Sequence, residues 1–139
     1  MRESLIQRVT KKERLDQPAE PRTVPTRLPL GIQVVRAGSG EWVETGVPGV
    51  RCKVLAIDEE QRVATMLVRM TPGASYPSHH HAGVEQCYVL EGDLSLGDVT
   101  LHAGDYQRAV EDSDHAVQST ADGCLLLVSA SQDDEVVSE

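Results

Sequence analysis

Phenylalanine is missing altogether from this 139-residue chain, tryptophan occurs once and tyrosine three times. With so little aromatic mass, the core must be filled by Val, Leu, Ile and Met. No run approaches the roughly 18 apolar residues that cross a bilayer. The N-terminus, Met-Arg-Glu-Ser-Leu-Ile-Gln-Arg, lacks the apolar stretch of a secretory signal. The expectation is a cytoplasmic protein with no membrane partner. Cysteine is scarce: Cys52, Cys87 and Cys124 are odd in number and far apart. They form neither a disulfide framework nor a CxxC zinc or redox motif, and reduced thiols are expected. Positive charge is also short, 13 Lys and Arg against 22 Asp and Glu, for a net charge of −9. That balance argues against nucleic acid as a partner, since nothing neutralises phosphates.

The charge is spread unevenly. Residues 1–36 hold eight Lys or Arg against four acids, a net of +4, whereas residues 37–139 hold five against eighteen, a net of −13. A basic arm on an acidic body either marks a partner site or folds back on the body's own field, and the second is favoured.

The length suits one domain with one core. Residues 3–15 are compatible with a short helix carrying Leu5, Ile6 and Val9 on one stripe, capped by Ser4. Pro18, Pro21, Pro25 and Pro29 then exclude helix and central strand, giving an extended connector. Residues 1–30 are therefore expected to form an N-terminal arm, and residues 31–139 an all-β domain. From Gly31 onward, short β-branched or alternating runs are each stopped by glycine, proline or acidic turn residues. They are Ile32–Arg36, Glu41–Glu44, Val50–Ile57, Val63–Met70, Glu85–Leu90, Leu94–Leu101, His115–Ser119 and Cys124–Ser129, with turns that include Glu91-Gly92-Asp93. Eight such runs predict a sandwich or barrel.

The chemistry sits in two segments. On a strand, His79 and His81 share one face and His80 takes the other, because side chains alternate with period two. The turn Ala82-Gly83-Val84 returns Glu85 on the neighbouring strand as a hard oxygen donor. Imidazole plus carboxylate suits one divalent transition metal ion (Zn, Fe, Mn, Ni or Cu) rather than calcium. A plain polar surface cluster is the alternative.

These residues resemble the cupin superfamily, whose first motif, G-x5-H-x-H-x3-E-x6-G, is met by Gly73, His79, His81, Glu85 and Gly92. At this composition a chance match is on the order of one in ten thousand. The second motif, G-x5-P-x-G-x2-H-x3-N, is met at Gly104 and His115, with Val110, Asp112 and Ser119 replacing its proline, glycine and asparagine. The resemblance implies a jelly-roll β-barrel and His115 as the fourth ligand, with His102 as the competitor. The runs Leu67–Ala74, Tyr88–Gly92, Ala103–Tyr106, Ser113–His115 and Gly123–Val128 are similar to the cupin domain of ChrR-type anti-sigma factors. In that family, sigma-factor binding belongs to a helical N-terminal domain with a His-x3-Cys-x2-Cys motif. No histidine or cysteine precedes Cys52 here, so a sigma factor is not the expected partner. Similar stand-alone cupins include small dioxygenases that cleave diketones or hydroxyketones.

Around the site, Cys87 shares the parity of Glu85 and is expected to face inward, as a soft second ligand, a redox-sensitive thiol or simply a small hydrophobe. Met66, Val68 and Met70, with Ala64, share a parity and form either a pocket wall or ordinary core. Tyr76 and Tyr106 flank the ligand segments and are further pocket candidates. Exposed apolar sheet favours a homodimer. Two functions follow from these readings: a dioxygenase-like metalloenzyme acting on a small organic ligand, or a non-catalytic metal-dependent sensor related to ChrR-type cupin domains. A purely structural metal is the third possibility.

Overall fold

The computed structural model describes residues 30–136; the helix expected over residues 3–15 and the proline connector lie outside them. Among the described residues twelve strands follow one another: β1 (Val43–Glu44), β2 (Val50–Asp58), β3 (Val63–Met70), β4 (Ser75–Tyr76), β5 (His79–His80), β6 (Glu85–Leu96), β7 (Val99–His102), β8 (Tyr106–Ala109), β9 (Asp114–His115), β10 (Gln118–Ser119), β11 (Cys124–Ser131) and β12 (Glu135–Val136). No helix occurs among the described residues, so none there is long and apolar enough to cross a membrane.

The large sheet runs β1-β2-β3-β11-β6-β10-β4, with β7 and β8 also pairing β6; β12-β5-β9 form a small second sheet. Strand β6 joins two halves of the curled sheet. Its first half pairs β8 and β11, and its second half pairs β7 and β10. The turn expected at Glu91-Gly92-Asp93 is instead a bend inside this strand. Gly92 sits at φ 82°, and a Cβ there would overlap the Gly123 carbonyl, so the backbones of β6 and β11 approach as only glycine allows. The chain reverses later, at Gly97-Asp98, where Leu96 pairs Val99 around a two-residue hairpin loop.

Alternation on the long strands builds the core. Val54, Met66, Val128, Cys87 and Gln107 are successive cross-strand partners and form one inward row. Cys52, Val68, Leu126 and Val89 form the next, and Val50, Met70 and Cys124 the third. All the apolar members are buried. Such rows interdigitate inside the curl, and each fully buried Val, Leu or Met is worth roughly 1.5–3 kcal/mol of transfer free energy.

Further sequence expectations change, among them the single run Leu94–Leu101, which the Gly97-Asp98 hairpin divides between β6 and β7. Ile32–Arg36 forms no strand. Its Ile32 and Val34 remain about half exposed, and its links to β2 run through side chains, Gln33 Nε2 to the Leu55 carbonyl and Lys53 Nζ to the carbonyls of Arg36 and Ala37. The run His115–Ser119 divides between the two sheets, because His115 pairs His79 while Gln118 pairs Leu96 and Tyr76. Strand β8, too polar and short to show in the sequence, closes one edge of β6.

Candidate metal centre

The segment Pro77-Ser-His-His-His81 enters the small sheet extended. Alternation then buries His79 and His81 and leaves His80 half exposed. His79 stands directly opposite His115 across the β5–β9 pair. Glu85, at the head of β6, brings its carboxylate to the same point. Its Oε2 lies 3.3 Å from His79 Nε2, 2.5 Å from His81 Nε2 and 3.7 Å from His115 Nε2. One donor atom from each of the four residues lies within 4.8 Å of the others. Asp112 reaches φ 65°, so it supplies the left-handed turn for which the second motif uses glycine.

The outer ring nitrogens fix how the imidazoles face. His79 Nδ1 lies 3.2 Å from the Pro77 carbonyl, and His81 Nδ1 lies 3.1 Å from the Ser113 carbonyl. A carbonyl only accepts, so both Nδ1 atoms carry the proton and both Nε2 lone pairs turn toward the centre. The Ser113 hydroxyl donates to the Val110 carbonyl and accepts from the same His81 Nδ1. His80 Nδ1 instead lies 2.7 Å from Asp114, on the outside.

Three observations test whether this donor set fits a metal ion. Among the described residues, His115 Nε2 is buried without a hydrogen-bond partner, an expensive arrangement for a polar atom unless something else satisfies it. The Nε2 atoms of His79 and His81 are 3.1 Å apart, close to the roughly 3.0–3.4 Å that separates neighbouring nitrogens held about 2.0–2.1 Å from one ion. Three imidazoles and one carboxylate are also the donor chemistry of first-row transition metals. The residues fit such an ion.

The electrostatics of the four side chains follow from their burial and mutual contacts. Burial would raise the Glu85 carboxyl, but hydrogen bonds and charge from His79 and His81 outweigh it and hold Glu85 down to about 2. Burial opposes a charged His81, yet its bond to Glu85 raises it above the ordinary imidazole value. The negative Glu85 carboxylate thus favours positive charge at the point where the ring nitrogens converge. Burial lowers His115, which therefore favours the neutral form that coordinates.

Of the other candidates, Cys87 faces inward two positions after Glu85, with burial pushing its thiol up to about 12; it lies outside the four-residue cluster and is no reactive thiolate. Met66 shares the interior row of Cys87, whereas Met70 lies two rows away beside Val50 and Cys124. Tyr76 packs edge-on against His79 with ring centroids 5.2 Å apart. Tyr106 departs from the pocket expectation. It is the cross-strand partner of Tyr88 on the outer face, 49% exposed, and donates to Gln86. His102 also points away, exposed opposite Asp93. Sequence reading missed Gln107, whose Nε2 donates to the buried Gln118 Oε1 at 3.1 Å. Recognising β8 as a strand in register with Cys87 would have found it. It also missed Asp134, a buried carboxylate in the segment after β11 that accepts from the Ala82 backbone N–H at 2.8 Å.

A curled antiparallel sheet carrying three histidines and a glutamate on facing strands is the architecture of the cupins. The chain belongs to the ChrR Cupin-like domain family, which matches residues 31–133. It is similar to a candidate acetylacetone dioxygenase of Methylibium petroleiphilum (18% identity, 75% of this chain and 79% of that one, TM-score 0.66). It is similar also to an acetylacetone dioxygenase of Acinetobacter johnsonii (14%, 80% of each chain, TM-score 0.63). A third likeness is to the Rhodobacter sphaeroides complex of SigE with the anti-sigma ChrR (25%, 68% of this chain and 50% of that one, TM-score 0.58). No curated protein matches the sequence significantly.

Proposed function

We propose that this cupin holds one divalent transition metal ion through His79, His81, Glu85 and His115 and acts as a dioxygenase-like enzyme on a small diketone- or hydroxyketone-like compound. The observation that supports it best is the convergence of three Nε2 atoms on one Glu85 oxygen, with that of His115 left without a partner. Such an ion, when bound, polarises carbonyl oxygens and serves dioxygen chemistry. The remaining tasks fall to the chain. Pro77 and Ser113 hold two rings in the coordinating orientation. Met66 and Val128, in the inward row of Cys87, offer an apolar wall for a carbon skeleton, and Gln107 closes that row with a polar end. The likeness to acetylacetone dioxygenases is consistent with this substrate class. The test is oxygen consumption by Fe(II)-loaded protein of confirmed occupancy across a panel of β-diketones and hydroxyketones. Turnover on at least one is expected, and flat traces throughout would refute the enzyme reading.

A second reading, a non-catalytic metal-dependent regulatory module, is favoured by the family match and by the 25% identity to the chain of the SigE–ChrR complex. Its signature is a metal-dependent change in a partner's binding without turnover. In either case we infer a homodimer. The outer sheet face carries the cross-strand row Leu67, Leu127, Tyr88 and Tyr106, of which the last three are 37–49% exposed.

A further inference from the structure

Beyond its four donors, the centre has an outer wall made by the segment that follows β11. Ser131, Gln132 and Asp134 are each at most 8% exposed, an unusual run of burial for polar residues. The backbone N–H of Gln132 donates to the Arg62 carbonyl at 2.8 Å, and the Arg62 guanidinium grips Asp133 through two bonds of 2.9 and 3.0 Å. This fastens the segment to the β2–β3 turn, where Arg62 itself adopts φ 54°. From there the segment crosses to the ligand strand. Asp134 Oδ1 accepts from the N–H of Ala82, the residue after His81, and Glu135 and Val136 then pair with His80 and His79. The neighbouring backbone groups are already committed, His81 N–H to the Ser113 carbonyl and the His81 carbonyl to Asp112 N–H. The Asp134 carboxylate thus holds the remaining amide at the point where the chain leaves His81 and turns toward Glu85. Asp134 lies one residue past the end of the family match.

We propose that Asp134 is a positioning residue of the metal centre: by accepting from Ala82 N–H it clamps the His79–His81 strand against β12 and fixes the angle between His81 and Glu85. The inference rests on the metal-binding reading above. Its effect falls on the centre rather than on the core, since the bonds of the clamp run to Arg62 and to the backbone of the His79–Ala82 segment. Breaking it frees the two donors that lie closest together, so the ion should leave faster while the sheet stays folded.

The experiment is a Co(II) titration of the full-length metal-free protein, read by d–d absorption, with dissociation timed by an excess of chelator and thermal melts taken on the metal-free forms. Wild type should bind Co(II) with an intense visible spectrum. Asp134→Ala should release it on the order of ten- to a hundredfold faster, as loss of a ligand-orienting partner does, with a shifted spectrum. Asp134→Asn, which keeps an acceptor oxygen for Ala82, should restore the wild-type spectrum and most of the slow release. Arg62→Gly suits the left-handed turn and cuts only the Asp133 tether; it should speed release without lowering the melt, which keeps the idea testable if Asp134→Ala folds poorly. Wild-type binding with unchanged release in Asp134→Ala and Arg62→Gly would overturn the clamp alone. Equal loss in Asn and Ala would overturn positioning by the hydrogen bond. Failure of wild type to bind Co(II) would overturn the metal reading and the clamp together.

Discussion

Each of the four proposed donors is worth most of the site. His79→Ala, His81→Ala and His115→Ala should each reduce bound metal well below one ion per chain, measured by elemental analysis, because each removes one donor of four. His80→Ala should leave occupancy unchanged, since its ring faces Asp114. Alternation along a strand already separates these neighbours in the sequence, and spacing alone marks His79, His81 and Glu85. His115 is harder to see there, because the turn before it uses Asp112 where a glycine is the usual cue. The pairing of titrating groups sets the pH behaviour. In the metal-free fold, the depressed Glu85 contributes stability that is full above about pH 4.3 and is lost as pH falls toward its folded value of about 2. The raised His81 contributes stability that is full below about pH 6.5 and fades as pH climbs through its folded value. Metal binding demands neutral rings, so the raised His81 sharpens the competition from protons, and acid must expel the ion, completely by about pH 4–5. Calorimetric titrations in two buffers of different ionisation enthalpy should show proton release on metal binding that increases as the pH is lowered below neutrality. Release that does not change with pH would contradict coordination by titrating imidazoles.

Strands β2, β3 and β11 are legible from β-branched alternation because both of their faces have clear fates, one inward and one outward. Strand β6 is legible only in halves: its glycine reads as a turn, whereas the folded chain uses Gly92 for close passage past Gly123. Gly92→Ala should therefore cost about 3 kcal/mol or more in a denaturant melt, the range of overpacking added to backbone strain. A cost below about 0.5 kcal/mol, typical of an indifferent surface position, would show that the close approach is not needed. The two-residue strands β1, β4, β5, β9, β10 and β12 carry no periodicity long enough to fix their bounds; only their side-chain chemistry marks β5 and β9. The N-terminal arm contributes none of the four donors. A chain beginning at Pro29 should keep its metal and a cooperative melt, and loss of both would assign the arm an essential structural role.

As a whole, the molecule places a charged, proton-sensitive centre beside an apolar interior and leaves an apolar row on the outside of the same sheet. That outer row predicts a dimeric mass in light scattering, and Tyr88→Glu, a charge on its 42% exposed member, should shift the population toward monomer while metal content stays constant. A monomeric wild type at micromolar concentration would remove the dimer from the account. The choice between enzyme and regulatory module depends on what approaches the ion, but both require that an ion be held. The most direct measurement is therefore the elemental content of the protein purified without added metal, beside a Glu85→Ala/His115→Ala double variant. About one first-row transition ion per chain in the wild type, and essentially none in the variant, is the predicted result. A wild type free of metal that also takes up none when offered it, or a variant as full as the wild type, would contradict the site.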